Sequence, residues 1–544
     1  MITTPQSRIE ELTSAGSWGD TTLHALLEQH ARENPDRLAV KDQPNRQELT
    51  GDPARSLSWA ELARASDNLA RQLQAAGVGE DDCLLVQLPN VAELLVVYYA
   101  LSKLGAIISP VPVQYGSHEL QLMAGVIEAK AMISLRSFRE GSPAATAREA
   151  LPNIQVLAFG DEISLDPQSD ASFEPVHSDA NRVLSICWTS GTTGTPKGVP
   201  RSHNMWLATA RATMNAGGYS AEDILLNPFP LVNMAALGGF LFPSALLGCS
   251  IVLHHPLDPG LFLQQMQDEK ISFTIAPPAL LNQLAKSDEM WNQFDFSALR
   301  RVGSGSAPLA PWMIDTFGSK YGKEVVNFYG SNEGISLFST PEATPDPEVR
   351  AAMFLHSGPG IDIETKVADP ETGTEITATG ERGELLISGA TVFDGYYAHD
   401  NVEVFSDDGY FRTGDLVEIC GDNGEFYRIV GRCKDIINRG GMKISPAELD
   451  VALEKHPAVT EAAVCAYPDE RLGEKICACL VLGDKQTAPS MEELQAYMLE
   501  QGFAKFKLPE RIELFDQLPR NAVGKVQRFA LQDSVTARPE EPTQ

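Results

Sequence analysis

The stretch TSGTTGTPKGVP, from Thr189 to Pro200, combines glycines and hydroxyl side chains with a single lysine. Glycines allow the backbone N–H groups of a loop to turn towards an anion, and hydroxyl groups add further donors. The residues of this candidate phosphate loop are Thr189, Ser190, Gly191, Thr192, Thr193, Gly194, Thr195 and Lys197, of which the lysine supplies a full positive charge. Taken alone, the stretch is more typical of a hydrophilic turn.

The spacing of this stretch differs from that of a Walker A loop. The motif G-x4-G-K-[ST] would require glycine at position 196 and serine or threonine at position 198, where the chain has Pro196 and Gly198. The sequence therefore disfavours an ordinary kinase or GTPase.

Helical and strand-like segments alternate around the loop, for example TTLHALLEQHARENP and DDCLLVQL. This alternation predicts α/β layers with mainly parallel strands. Three closely spaced segments, GERGELLISGATVF, GYFRTGDLVEIC and GEFYRIVGR, predict a smaller β subdomain. Beyond Arg432, helix and strand patterns alternate over about 100 residues, a usual domain length. We therefore predict a large N-terminal domain over residues 1–431, with layered α/β subdomains and the β subdomain, and a small α+β C-terminal domain over residues 432–544.

Length and charge limit the classes of function. A chain of 544 residues exceeds the size of about 250–300 residues at which single cores stop growing, so at least two domains are expected. Its 43 Lys and Arg residues face 73 Asp and Glu residues, which gives a formal net charge of -30. Such a charge repels a phosphate backbone, and nucleic acid is therefore disfavoured as a partner.

The N-terminal segment MITTPQSRIEELTSAG lacks the basic start and apolar centre of a signal peptide, and we expect a cytoplasmic protein. The apolar run AELLVVYYALSKLGAIISPVPV is interrupted by Lys103 and Gly105, which predicts a buried helix followed by a strand and no membrane span.

The eight cysteines form no CxxC pair. Cys477 and Cys479 share one face of a predicted strand, and the pattern favours reduced packing thiols over a metal site.

Four further stretches follow the candidate phosphate loop in a fixed order: NFYGSNEG, YFRTGDLVEI, GRCKDIINRGGMKISPAELD and LPRNAVGKVQR. With the loop, they resemble the adenylate-forming superfamily of acyl- and aryl-CoA ligases, whose relatives include adenylation domains and beetle luciferases. The resemblance extends from about residue 20 to about residue 532 and implies an acyl-CoA synthetase-like fold with a mobile C-terminal domain. The runs PRSHNMW, INRGG and KFKLPERIELFDQLPRNAVGKVQR are most similar to stand-alone aryl-acid ligases.

The resemblance implies a reaction in two steps. A carboxylate first attacks the α-phosphorus of ATP, which gives an acyl-adenylate and pyrophosphate. The thiol of CoA then attacks the acyl carbonyl, which gives a thioester and AMP. The implied cofactors are ATP, Mg²⁺ and CoA, or the phosphopantetheine of a carrier protein.

The resemblance also assigns roles to single residues. The candidate phosphate loop would cover the β- and γ-phosphates, Glu333 would bind Mg²⁺, and Lys525 would act as the catalytic lysine that bridges the substrate carboxylate and the α-phosphate. Asp415 would accept the ribose hydroxyls, and Arg432 would lie near the ribose and phosphates. The adenine would contact Ser306, Ala307, Asn327, Phe328 and Tyr329.

Two departures from the family pattern stand near these residues. Asn332 occupies the position where relatives usually carry threonine, which places its contact with the α-phosphate in question. Asn233 replaces an aromatic or histidine gate, and Met234 falls where dihydroxybenzoate ligases have a polar amide, so a catechol-like acid is disfavoured. The resemblance assigns the acyl pocket to Asn233, Met234, Leu237, Gly238, Gly303, Gly330 and Ser331, and its partly apolar lining favours a hydrophobic aliphatic, alicyclic or aryl acid.

In relatives the small domain rotates about a hinge, at the position of Lys434 in this chain. The rotation presents the segment around Gly440 and Gly441 to the pantetheine thiol, and paired glycines would allow that close approach.

Three alternatives remain open at this point. The first is an enzyme that loads a carrier protein instead of CoA, the second a nucleotide-binding homologue without turnover, and the third a luciferase-like oxidation. A homodimer is the default expectation for a homo-oligomer.

Overall fold

The computed structural model describes residues 1–166, 171–189, 196–305, 308–357, 363–439, 442–469, 471–483, 486–501, 503–521 and 524–538. The chain divides into two compact units. The first contains Met1–Glu364 and Ile387–Phe411, and the second contains Thr365–Leu386 and Arg412–Gln544. The predicted domain boundary between residues 431 and 432 falls inside the second unit, and the division into domains 1–431 and 432–544 stays a prediction.

The strands are numbered in chain order. They are β1 Leu38–Lys41, β2 Ser56–Ser58, β3 Cys83–Val86, β4 Ile107–Pro110, β5 Ala131–Leu135, β6 Gln155–Phe159, β7 Val183–Thr189, β8 Lys197–Ser202, β9 Ile224–Asn227, β10 Ser250–Leu253, β11 Phe273–Ile275, β12 Arg301–Gly305, β13 Glu324–Gly330, β14 Ser336–Ser339, β15 Met353–Leu355, β16 Ile363–Ala368, β17 Glu375–Ile376, β18 Arg382–Gly389, β19 Phe411–Cys420, β20 Phe426–Arg432, β21 Ile437–Arg439, β22 Met442–Ile444, β23 Val459–Asp469, β24 Gly473–Leu482 and β25 Arg511–Leu514.

The helices are numbered in the same way. They are α1 Gln6–Ser14, α2 Leu23–Glu33, α3 Arg46–Thr50, α4 Trp59–Ala75, α5 Ala92–Leu104, α6 Ser117–Val126, α7 Pro143–Ala150, α8 His203–Gly217, α9 Met234–Ala236, α10 Phe242–Leu247, α11 Pro259–Asp268, α12 Pro278–Lys286, α13 Asp288–Asn292, α14 Pro311–Ser319, α15 Pro347–Ala352, α16 Pro446–Leu453, α17 Met491–Glu500 and α18 Arg528–Ala537. A π-helical turn spans Leu237–Leu241, and a 3-10 turn spans Lys505–Lys507.

Two mainly parallel sheets organise the first unit. One has the strand order β14-β13-β12-β11-β9-β10-β1-β2, with antiparallel strands at its two ends. The other has the order β6-β5-β3-β4-β7-β8, in which β8 is antiparallel to β7. The apolar run noted in the sequence forms the wholly buried helix α5 and the buried strand β4, as predicted. The predicted α/β layers are confirmed.

The second unit is richer in antiparallel pairing. Strands β19 and β20 pair antiparallel, as do β23 and β24, while β25 runs parallel to β24. Helices α16 and α18 pack against β23. The predicted β segments and the smaller α+β domain are therefore confirmed.

Among the described helices, none is both long and apolar enough to cross a membrane.

Candidate functional site

The ends of two adjacent parallel strands bring several predicted site residues together. In β12 and β13, Ser304 lies opposite Asn327 and Gly305 lies opposite Phe328. The crevice beyond the carboxyl ends of such strands is where ligands bind in α/β sheets. The chain leaves β13 at Gly330 and passes directly into the next candidate residues. Ser306 and Ala307 lie outside the described residues.

The predicted adenine contacts are built into β13. The buried Asn327 donates from Nδ2 to the carbonyl oxygens of Arg350 and Ala351, at 3.0 Å each. The Tyr329 ring lies 5.4 Å from the Phe354 ring, centroid to centroid. Because its amide nitrogen anchors α15, Asn327 would accept a hydrogen bond from adenine at its side-chain oxygen, Oδ1.

Tyr396 connects two of the predicted phosphate-binding residues in the first unit. Its hydroxyl donates to Oε1 of the largely buried Glu333 at 2.9 Å. The Lys197 ammonium lies 4.6 Å from the centroid of the Tyr396 ring, which is cation–π distance. The lysine at the end of the candidate phosphate loop and the predicted magnesium ligand thus contact the same aromatic side chain.

Glycine is required immediately after Glu333. Gly334 has φ of +121°, and a Cβ atom there would collide with the backbone of Thr391 and Val392. The Gly334 carbonyl accepts from Thr391 Oγ1 at 2.7 Å, and the Glu333 carbonyl accepts from the Phe393 N–H at 3.0 Å. The close approach of the two segments fixes the direction of the Glu333 carboxylate.

A fully buried guanidinium supports the same segment from the other side. Arg201 donates from Nη1 to the Asn332 carbonyl at 2.7 Å and from Nη2 to Thr209 Oγ1 at 2.8 Å. Its Cζ lies 4.3 Å from the centroid of a Trp206 ring. Burial lowers the pKa of Arg201 to about 10, while Cys187 and Glu333 oppose the shift. Arg201 is therefore still charged at neutral pH.

The Asn332 side chain joins two other parts of the candidate site. Its Oδ1 accepts from the Met234 N–H at 2.8 Å, and its Nδ2 donates to the Trp188 carbonyl at 3.0 Å. Trp188 directly precedes the candidate phosphate loop, and Met234 belongs to the predicted acyl pocket. In this structure Asn332 positions both segments, and its contact with the α-phosphate stays a prediction.

Two of the predicted acyl-pocket glycines, Gly238 and Gly330, lie beside Met234. A Cβ atom on Gly238 would lie 3.1 Å from Met234 Sδ and 2.7 Å from the Thr209 methyl carbon, and one on Gly330 would lie 3.6 Å from Met234 Cγ. Gly238 stands in the π-helical turn, a feature frequent at functional sites. A Cβ atom on Gly303 would lie 2.5 Å from the Phe328 ring.

The remaining acyl-pocket candidates differ in their surroundings. Asn233 caps α9, where its Oδ1 accepts from the Ala236 N–H at 3.4 Å. Leu237 has no exposed surface and packs in the main apolar core. Ser331 Oγ is buried and has no hydrogen-bond partner among the described residues. An unpartnered buried hydroxyl is costly, which favours a ligand or water at that position.

In the second unit, Asp415 and Arg432 lie opposite each other on β19 and β20. Arg432 Nε donates to Asp415 Oδ1 at 2.5 Å, and the Asp415 residue is buried. The predicted ribose carboxylate and its positive partner are thus paired.

Lys525 belongs to the electrostatic surroundings of this pair. Although the residue is exposed, desolvation of its ammonium and then the charge of Arg432 lower its pKa, while Asp415 and Asp435 raise it. The Lys525 N–H donates to Asn521 Oδ1 at 2.9 Å.

Thr189 is the last residue of β7, and Lys434 lies just after β20. The hinge role of Lys434 stays a prediction. The residues Ser190, Gly191, Thr192, Thr193, Gly194, Thr195, Gly440 and Gly441 lie outside the described residues.

Two residues of the candidate site, Tyr396 and Arg201, were not predicted from the sequence. The arginine follows Lys197 by four residues on β8, and alternation along that strand could have marked it as inward-facing. Tyr396 gave no comparable signal, because its contact with Glu333 spans 63 positions in the chain.

Comparison with known proteins identifies the family of the chain. Residues 27–397 match the family model described as AMP-binding enzyme, and residues 448–525 match the model of the AMP-binding enzyme C-terminal domain. The chain belongs to the AMP-binding enzyme family. As a member, it is an ATP-dependent enzyme that activates acids as adenylates.

The relatives of this AMP-binding enzyme are named for different activities. The chain is 29% identical over 559 residues to a medium-chain fatty-acid–CoA ligase of Escherichia coli, covering 99% of this chain and 94% of that protein. It is 30% identical over 551 residues to a vibriobactin-specific 2,3-dihydroxybenzoate-AMP ligase of Vibrio cholerae, covering 97% and 96%. The ATP-bound crystal structure of MatB from Rhodopseudomonas palustris superposes with a TM-score of 0.80 at 27% identity, covering 95% of this chain and 99% of that one.

Replacing Tyr396 by phenylalanine removes one hydrogen bond to Glu333 and keeps the aromatic ring near Lys197. Hydrogen bonds to charged groups contribute about 1.5–3 kcal/mol. We therefore expect the Mg²⁺ concentration for half-maximal pyrophosphate exchange to rise by about tenfold in the AMP-binding enzyme. Tyr397→Phe, which alters the adjacent tyrosine, serves as the matched control. An unchanged Mg²⁺ dependence in Tyr396→Phe would contradict the role given to the hydroxyl.

Replacing Asn332 by alanine leaves the Met234 N–H and the Trp188 carbonyl without their partner. We expect the free energy of unfolding to fall by about 1–3 kcal/mol, the usual cost of an unsatisfied buried group. We also expect the KM for the acid to rise more than the KM for ATP, because Met234 lies in the predicted acyl pocket. Steady-state pyrophosphate release and urea unfolding measure the two effects, with the exposed Asn292→Ala as control. Equal changes in both KM values would argue against a positioning role.

Proposed function

We propose that this protein activates a hydrophobic carboxylic acid, whether medium-chain, alicyclic or aryl, to an acyl-adenylate and then transfers the acyl group to CoA. The observation that carries the proposal is the convergence of Lys197 and Glu333 on Tyr396, next to Met234 and the two glycines beside it. A cationic phosphate contact, a metal-binding carboxylate and an apolar pocket are the parts that adenylation of such an acid needs.

In the first step, a carboxylate oxygen attacks the α-phosphorus and the bond from that phosphorus to the bridging oxygen of pyrophosphate breaks. Lys197 stabilises the negative charge that remains on the leaving phosphates. A single buried carboxylate such as Glu333 suits Mg²⁺, which usually keeps phosphate oxygens and waters among its ligands. When bound, Mg²⁺ would supply charge neutralisation on the phosphates.

Lys525 stabilises the transition state of this step. Its ammonium bridges the substrate carboxylate and the α-phosphate, where negative charge accumulates. Arg432 and Asp415, which already share its electrostatic surroundings, hold the ribose of the same nucleotide. In the second step the CoA thiolate attacks the acyl carbonyl, the bond from that carbonyl carbon to the adenylate oxygen breaks, and AMP leaves.

The acid itself is inferred from the lining of the pocket. The side chains that come closest to the glycines of this region are those of Thr209, Met234, Phe328 and Ile275. Thr209 approaches with its methyl carbon, the other three are apolar, and Met234 carries no amide to hydrogen-bond a catechol. This favours an acid with a hydrophobic body over acetate or dihydroxybenzoate.

An enzyme that loads the phosphopantetheine of a carrier protein is the second candidate. The relative from Vibrio cholerae, an acid–AMP ligase by name, favours it. Both candidates share the adenylation step and a cytoplasmic location. They differ only in the thiol that accepts the acyl group.

A panel of acids tests the proposal directly. We expect pyrophosphate release with hexanoate, cyclohexanecarboxylate or benzoate to exceed that with acetate and 2,3-dihydroxybenzoate by at least about tenfold, since one or two buried methylenes contribute about 1–3 kcal/mol. Addition of CoA should then release AMP and form the thioester.

The same assay separates the two acceptors. AMP release that requires a holo-carrier protein and fails with CoA would replace the first candidate by the second. Absence of pyrophosphate release with every acid would contradict the pocket assignment.

Lys525→Ala should slow adenylate formation by about 10²–10³-fold, the usual effect of removing one group that stabilises a developing charge. Thioester formation from a supplied acyl-adenylate should persist, because that step does not use the lysine. Rapid-quench measurement of each step provides the comparison. Equal loss of both steps would defeat the assignment.

Lys525→Arg is the matched variant. Lys525 is active as an ammonium, which loses its proton as the pH rises. Because its pKa is lowered, kcat/KM for adenylation should decrease with rising pH, and this decrease should have its midpoint below 10.5, the usual lysine value. Arginine stays protonated throughout this range, so the alkaline limb should move to higher pH in the variant. A limb that stays in place would show that another group titrates.

A further inference from the structure

Three cysteines meet in the interior of the second unit. Cys465 on β23 lies directly opposite Cys477 on the antiparallel strand β24, and Cys479 follows on the same face of β24. Their Sγ atoms all lie within 4.8 Å of one another, and those of Cys465 and Cys479 are 3.8 Å apart. The spacing of Cys477 and Cys479 alone favoured packing thiols. The sequence does not show which residue of a neighbouring strand pairs with them.

The separations of these sulfur atoms suit a shared metal ion. Metal–thiolate bonds are about 2.3 Å long, so three sulfurs around one ion in a plane lie about 4 Å apart. The cluster satisfies this spacing without movement of the strands. The three cysteines come from two paired strands, which hold the sulfurs at a fixed separation.

The surroundings of the cluster decide which ion fits. All three cysteines are buried, and Leu518, Leu531 and Val535 cover them. Among the described residues, no fourth His, Cys, Asp or Glu ligand belongs to the group. Structural zinc sites are almost always four-coordinate, whereas soft thiolate ligands also select Cu⁺.

Two guanidinium groups lie near the thiols. Arg528, the first residue of α18, donates from Nη1 to the carbonyl oxygen of Val464, the neighbour of Cys465. Arg511 on β25 is the register partner of Cys477. Both arginines also pair with carboxylates, Arg528 with Asp450 and Arg511 with Glu513. These cations reduce the cost of holding thiolates away from water.

We propose that Cys465, Cys477 and Cys479 form a binding site for one Cu⁺ ion, held by three sulfur ligands beneath α18. Each thiol that binds the ion as a thiolate releases its proton to solvent, and no oxidation state changes. None of the three cysteines is among the nucleotide and acyl residues named above.

The site is close in sequence to the catalytic lysine proposed above. Leu531 and Val535, which cover the cluster, lie on α18, and α18 begins three residues after Lys525. Binding of an ion to the native state alone stabilises that state. We therefore expect Cu⁺ to raise the thermal midpoint of the full chain.

Anaerobic titration of the reduced full-length protein against the Cu⁺ chelator bathocuproine disulfonate tests the proposal. We expect one tightly bound Cu⁺ per chain in the wild type and in Cys249→Ala, a buried cysteine of the first unit that serves as control. Binding should weaken by at least about 100-fold in Cys465→Ala and in Cys479→Ala. Unchanged affinity in these two variants would overturn the proposal.

A measurement on the wild type keeps the test independent of how the variants fold. X-ray absorption of the Cu⁺-loaded protein should give three sulfur neighbours at about 2.3 Å. Two sulfur neighbours in a linear arrangement would overturn the proposal. Recovery of a Cys465–Cys479 disulfide as the stable form of protein purified without reductant would overturn it as well.

Discussion

The hydrogen bond from the buried Arg201 guanidinium to the Asn332 carbonyl supports the rest of the candidate site. A charge that is fully removed from water requires hydrogen-bond partners in fixed positions, and here they include a carbonyl of the segment that carries Glu333. With the backbone fixed there, the Asn332 amide can hold Met234 and Trp188 at the same time. One buried cation thus supports the segment through which Met234 of the predicted acyl pocket, Trp188 before the candidate phosphate loop and the predicted magnesium ligand Glu333 are connected.

The architecture could be predicted because its signals are local. The alternation of helical and strand patterns predicted the parallel sheets, and the interrupted apolar run predicted α5 and β4. Residues matched to family motifs, such as Glu333 and Lys197, were also found near each other. In these cases the position of each residue in its motif already indicated which other residues it would lie near.

The contacts that were not predicted are those between distant segments. Tyr396 meets Glu333 only because the chain returns to the first unit at residue 387, after a segment of the second unit. Cys465 meets Cys479 only through the pairing of two strands. The amide of Asn332 illustrates the same limit. Its residue type indicated a departure from the family, while its use as a bridge depends on where Met234 and Trp188 lie in three dimensions.

The glycines of the acyl region restrict how this pocket can change. A methyl group on Gly238 would meet the Thr209 side chain on α8, and one on Gly303 would meet the Phe328 ring, so a side chain at either position requires its neighbours to shift. Substitution of Met234 or Ile275, which lie beside these glycines, changes the space around them without adding such a collision. A laboratory search for altered acid preference would do best to randomise those two positions and leave the glycines unchanged.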